Sequence, residues 1–261
     1  MQPSTISSIN HLDPQKKREI YTRLVPTELL ERFNLDDSLH DPNGNDLVNL
    51  HAHPGSSSAE MSLYHQFGFP DPILYGQITD TLNGQIHVLL YVLNDPHSPR
   101  FDVDRLPDGT PTNFGTEHRN VEAELQAMEY GLAPGQVRSG LRLLGPAIQA
   151  FERFVASLGH DLYFAEPLYY HNAILFEHYG FAYQKGRKLM ERIQAGFEEG
   201  GDLIACLDSS SPFRKPEAEC SIRLRSWAIH DGLLGTPFTD VTMYKHIGKH
   251  AGVNTCTGCT W

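Results

Sequence analysis

The chain has 261 residues, 40% hydrophobic and 20% charged, which suits a packed core and excludes global disorder. A formal net charge of −11 excludes a general binder of nucleic acid or of anionic membrane, because phosphate contacts need a basic face. The cluster Lys185, Arg187, Lys188 and Arg192 reads as a solvated face. Met1–Leu12 is polar and lacks the apolar segment of a secretory leader. The longest apolar run, Val88–Leu93, is too short to span a bilayer, and the four cysteines fit a reducing, cytoplasmic setting.

In chain order, Asp13-Pro14 reads as the cap and first residue of a helix. A second short helix starts near Pro26 and packs Leu29, Leu30 and Phe33. Asn34–Asn49 reads as loop. Ile73–Thr81 and Gln85–Leu93 are strands of a hairpin joined through Asn83-Gly84. Asp95–Thr116 is a Pro-, Asp- and Gly-rich excursion. Ala123–Tyr130 is helical by composition, while its place before the Pro134 turn favours a strand.

Gly140–Leu158 carries Leu141, Leu144, Ile148, Phe151 and Val155 at helical spacing, stops at Gly159, and has Gly145-Pro146 where a kink is expected. Leu162–Ala165 is a strand feeding a short helix over Asn172 that ends at Gly180-Phe181. Leu189–Phe197 is a helix, Leu203–Leu207 and Ser221–Ile229 are late strands, and Met243–Ala251 is a terminal helix. The pattern predicts an α/β (α+β) fold with a mixed, mostly antiparallel sheet flanked by helices. Its organisation is an N-terminal extension over 1–72, a core over 73–184 and a C-terminal extension over 185–261 that completes the sheet.

Two segments carry a resemblance. Leu132-Ala133-Pro134-Gly135-Gln136-Val137-Arg138-Ser139-Gly140 places Pro134 and Gly140 at a fixed spacing before a helix. Some thirty-odd residues on, Phe176 is followed by three residues and Gly180-Phe181. Over roughly residues 73 to 184 the chain resembles the GCN5-related N-acetyltransferase superfamily. The resemblance implies an acyl-CoA cofactor, acetyl-CoA or another. Its diphosphate would lie on amides of the turn and the helix mouth. The implied cofactor-binding residues are Leu132, Pro134, Val137, Arg138, Ser139, Gly140, Arg142, Asn172 and Phe176. The family usually has Arg or Gln where Val137 stands and Gly or Ala where Arg142 stands; here Arg142 either crowds the diphosphate or pairs with it. The family's tyrosine acid is replaced by Phe176, which has no proton to give. Glu166 is then the base, and Tyr179, or Tyr169 or Tyr170, the acid. The implied acceptor is a small-molecule or peptide amine; no nucleic-acid or membrane partner is expected, and the extensions could shape a homodimer contact. A non-catalytic binding module of the same fold is the alternative.

Fourteen histidines raise metal chemistry as a further alternative. His51-Ala52-His53 puts two imidazoles on one side of a short strand, as in metal-dependent hydrolases, but Ser62-x-x-His65 misses the ligand spacing of JAMM-type metalloproteases. At the tail, His246, His250, Cys256 and Cys259 are four candidate ligands for a structural zinc, the histidines one helical turn apart.

Overall fold

Thr5 caps the first helix reciprocally with Ser8, and Asp13 followed by Pro14 starts the second as expected. The computed structural model describes residues 3–112 and 118–261, so the end of the predicted Asp95–Thr116 excursion lies outside the described residues. In chain order the elements are α1 (Ile6–Asn10), α2 (Pro14–Tyr21), α3 (Thr27–Phe33), β1 (Val48–His51), β2 (Ser58–Leu63), β3 (Leu74–Asp80), β4 (Ile86–Leu93), α4 (Val121–Tyr130), α5 (Leu144–Ser157), β5 (Leu162–Ala165), α6 (Tyr170–His178), β6 (Ala182–Lys185), α7 (Arg187–Gly196), α8 (Ile222–His230) and β7 (Thr242–His246). The strands form a seven-stranded mixed sheet in the order β1-β2-β3-β4-β5-β7-β6, flanked by helices. It is antiparallel from β1 to β4 and parallel between β4 and β5. Among the described residues no helix is long and apolar enough to cross a membrane.

The chain divides into two compact units, each drawn from separate stretches of sequence. The first takes the chain up to Ser98, Gly140–Glu166 and Tyr244–Lys249; the second takes Pro99–Ser139, Pro167–Met243 and His250–Trp261.

In the first unit the hairpin turns at Gly84, whose φ of +75° suits glycine, with Thr81 N–H donating to Gln85 O at 2.8 Å. Asp80, at the end of β3, accepts the free amides of Ile6 and Ser7 at 2.7 and 2.8 Å and so ties α1 to the sheet. The apolar stripe of α5 is Ala147, Ala150, Phe151, Phe154 and Val155, and Phe154 stacks on the buried Tyr21 at 6.4 Å. Leu144 and Ile148 sit at its margin. The helix starts at Leu144, four residues later than expected, so Pro146 falls in the first turn, where a missing N–H costs nothing.

In the second unit Trp227 stacks on Phe213 at 5.3 Å and closes a core with Ala127, Met128 and Leu132. Three sequence expectations are corrected, and the choice left open at Ala123–Tyr130 falls to helix. That segment is part of α4, capped by Asn120, as its composition suggested. Ser221–Ile229 is helix α8, capped by Ser221; the alternation Ile222-Arg223-Leu224-Arg225 has strand period but sits behind a helix start. Leu203–Leu207 holds only a 3-10 turn at Ile204–Cys206. Met243–Ala251 is not a helix: β7 occupies Thr242–His246, with Met243 and Lys245 buried alternately, and a turn follows.

Candidate functional site

The site is built in the first unit from the end of the parallel pair. β4 pairs with β3 through Gln77↔Leu90 and Ile78↔Val88, so Leu89 is an extra residue, a bulge that bends β4. β5 pairs with β4 only at His87↔Phe164 and Val88↔Ala165, and Glu166 N–H donates to Val88 O at 3.1 Å. Beyond Val88 the two strands part, leaving the Leu89–Leu93 stretch of β4 without a partner in β5. The chain re-enters at the carboxyl end of β4, where Gly140 bridges Asn94, and then turns into α5 through Arg142, exposed and held at φ +59°. Arg32 steadies this turn by donating to Leu141 O at 2.9 Å. Leu143 caps α5 without a side-chain hydrogen bond. Among the described residues the amides of Leu143, Leu144 and Gly145 find no acceptor. The mouth of a 14-residue helix, with its positive dipole end and an arginine beside it, therefore follows the bridge at the carboxyl end of β4.

One face of these strands carries a row of rings. His87 meets Phe164 edge-on at 6.3 Å, Phe164 meets Tyr244 at 6.4 Å, and Tyr244 meets His246 at 5.8 Å. Glu166 follows Phe164 on the same face and is exposed. His87 is half-buried, and among the described residues its enclosed Nε2 has no hydrogen-bond partner. Burial lowers its pKa from 6.5 and the Glu166 charge opposes that shift, so the imidazole is neutral at pH 7 and can take a proton. His87 was missed by the sequence reading; its signal was a lone imidazole inside the apolar run Ile86–Leu93.

The remaining expected cofactor residues fall in the second unit. The Pro134 turn is consumed by packing. Leu132, Pro134 and Arg138 are buried, Val137 packs on the Trp227 core, and Trp227 Nε1 donates to Leu132 O at 2.8 Å. Gly135, at φ +79°, lies so close to the Tyr169 ring that an added Cβ would meet it at 2.5 Å. Ser139 is half-buried and ends this segment. Phe176 stacks on Phe181 at 4.9 Å, and Asn172 Nδ2 donates to His171 Nε2 at 3.2 Å. Of the tyrosines, Tyr179 ends α6 half-buried, whereas Tyr169 and Tyr170 have enclosed hydroxyls, and burial pushes both pKa values up.

Comparisons with known proteins return nothing. No family model, curated protein or solved structure matches the chain.

His171 and Ser226 look at first like a nucleophile and its base, with Nδ1 to Oγ at 2.9 Å. Both are buried, and Asn172 donates to Nε2, so the imidazole proton sits on Nδ1 and points at the hydroxyl. Ser226 is therefore the acceptor, and the pair is structural. Burial, followed by the charge of nearby His230, holds the His171 pKa down from 6.5 to about 3. An unfolded chain binds this proton below pH 6.5 and the native chain does not until about pH 3, so native stability falls as pH drops through that window. Urea midpoints measured from about pH 7.5 down to about pH 4 are expected to show this loss. His171→Gln should flatten it, and an unchanged acid limb in that variant would remove His171 as its source.

His51 and His53 are both exposed, and His51 pairs across the sheet with Glu60. His246 belongs to the first unit, and His250, Cys256 and Cys259 to the second; with β7 in place of a helix, the two histidines are not one helical turn apart. Among the described residues no group of three or more His, Cys, Asp or Glu is arranged to hold a metal.

Proposed function

We propose that the chain is a cytoplasmic, acyl-CoA-dependent N-acyltransferase-like protein whose cofactor enters where β4 and β5 part. The observation that carries this reading is the two-rung parallel pair, His87↔Phe164 and Val88↔Ala165, ended by the bulge at Leu89. In open α/β sheets, ligands bind beyond the carboxyl ends of strands where the order reverses. The unpartnered edge of β4 suits an extended ligand arm carrying amides, which can pair with it as an added strand does. The free amides at the start of α5, with Arg142, suit the diphosphate at the far end of that arm. This moves the anion site from the Pro134 turn to the residues after Gly140.

Glu166 and His87 supply the acceptor chemistry. One takes a proton from an ammonium, the freed amine attacks the thioester carbonyl, and the thiolate leaves and is protonated. Titration calorimetry of the full chain with acetyl-CoA and with free CoA tests the binding step. Both should bind, and Arg142→Glu should weaken both about tenfold, which is ~1.4 kcal/mol. Absence of heat with either ligand would defeat the reading. Binding without thiol release in the presence of amines would leave a non-catalytic module.

A further inference from the structure

Arg225 on α8 is 2% exposed, and among the described residues no carboxylate pairs with it. Its donors go to Ala218 O and Glu219 O at 3.2 Å each, to Gln194 Oε1 at 2.9 Å and to Cys256 Sγ at 3.7 Å, and its face lies 4.4 Å from the Phe197 centroid. A buried guanidinium without an anion is costly. Among these four acceptors, the carbonyl and amide oxygens stay neutral, whereas the Cys256 sulfur can become an anion in a chemical step.

Cys259 lies three residues beyond that sulfur, is half-buried and donates its thiol to Thr257 O at 3.8 Å, while Cys256 is 9% exposed. Both ends of the short loop are fixed. Thr255 donates to Glu177 through N at 2.8 Å and Oγ1 at 2.6 Å, and Thr260 N donates to Cys220 O at 2.9 Å. The two thiols therefore sit three residues apart on a backbone anchored at both ends, the Cys-x-x-Cys spacing over which a disulfide can close. Cys256 is the sulfur that Arg225 reaches, at 3.7 Å, so Cys259 is the thiol that waits.

We propose that Cys256 and Cys259 form a peroxide-oxidised dithiol, with Cys256 as the attacking sulfur, Cys259 as the resolving one, and Arg225 as the charge that assists the attack. The oxidant is a small hydroperoxide, because a buried sulfur at 9% exposure is closed to bulky disulfide reagents. The Cys256 sulfur attacks one peroxide oxygen; the S–O bond forms, the O–O bond breaks, and water leaves with the thiol proton, giving a sulfenic acid. The Cys259 sulfur then attacks Cys256; the S–S bond forms, and the sulfenic oxygen leaves as water with the Cys259 proton. Two thiols are oxidised and one peroxide is reduced to two waters.

The test uses the full chain, reduced and treated with chelator, then exposed to one equivalent of hydrogen peroxide. Thiol labelling under denaturing conditions should show the loss of two of the four thiols, and peptide mapping should place the bond at Cys256–Cys259. Cys259→Ser, a change at a half-buried position, should instead leave a dimedone adduct on Cys256. Cys256→Ala should keep Cys259 reduced. A bond through Cys220, oxidation of Cys206 ahead of Cys256, or full retention of the thiols would overturn the proposal.

Discussion

Replacing Glu124 by alanine should destabilise the chain by about 3–5 kcal/mol, the range for removing one partner of a buried ionic network. Glu124 is 5% exposed. Its carboxylate accepts from His230 Nε2 at 3.0 Å and from Arg119 Nε at 2.9 and 3.2 Å, with a further bond from Arg119 Nη2. Arg119 also reaches Asp231 at 3.5 Å, and Asp231 accepts Arg214 Nε at 3.2 Å. The network therefore joins the start of α4 to the end of α8. Burial raises the Glu124 pKa, but the hydrogen bonds from His230 and Arg119 outweigh it and hold the carboxyl below 4.5. A depressed carboxyl pKa contributes stability above the unfolded value, and this contribution is lost as pH falls through the folded one. Truncation at neutral pH leaves a guanidinium and an imidazole without their acceptor. Thermal unfolding should move down by ~6–20 °C for a chain of this size. Glu124→Leu combined with Arg119→Met should recover part of the loss, since removing both partners spares the stranded charge. A loss below about 1 kcal/mol for Glu124→Ala would show that the network is a surface ion pair in its energetics.

The sequence marked some of this architecture clearly. Asp13-Pro14 and Asn83-Gly84 are local signals whose physics is complete within a few residues, and α2 and the β3–β4 hairpin follow them. The mixed sheet with flanking helices was legible from the order of elements. What failed were the places where local pattern and tertiary pairing disagree. Ser58–Leu63 lacks β-branched residues, and its pairing with β1 and β3 makes it a strand. Ile222-Arg223-Leu224-Arg225 alternates like a strand, yet Ser221 caps a helix there. His246 and His250 have helical spacing by coincidence, because β7 ends at His246.

The candidate site divides in the same way. Glu166 was legible as the residue after a short apolar strand, and Gly140 as the entry to a helix. The bulge at Leu89 and the placement of His87 beside Phe164 were not, because a register shift between strands leaves no mark in either strand alone. Arg142 at positive φ explains why the helix begins late, since a left-handed residue cannot sit inside a helical turn.

Glu166→Gln should lower acyl-transfer turnover by about 10²–10⁴-fold, the usual loss when a positioned base is removed, with CoA affinity unchanged. The reason lies in where Glu166 stands. It is anchored by its own N–H to Val88 O at 3.1 Å, at the point where β4 and β5 separate, with an exposed carboxylate beside the enclosed Nε2 of His87. The two groups are electrostatically linked, because the Glu166 charge raises the His87 pKa against the effect of burial. Removing that charge lets the imidazole pKa fall further. If Glu166 takes the proton, its variant loses turnover at every pH, while His87→Gln loses much less. If His87 takes it, His87→Gln loses turnover, and Glu166→Gln keeps most of it with the acid limb of kcat/KM moved to lower pH. Steady-state rates of both variants across the acid limb separate these outcomes. Full activity in both would show that proton removal occurs away from the parting of β4 and β5.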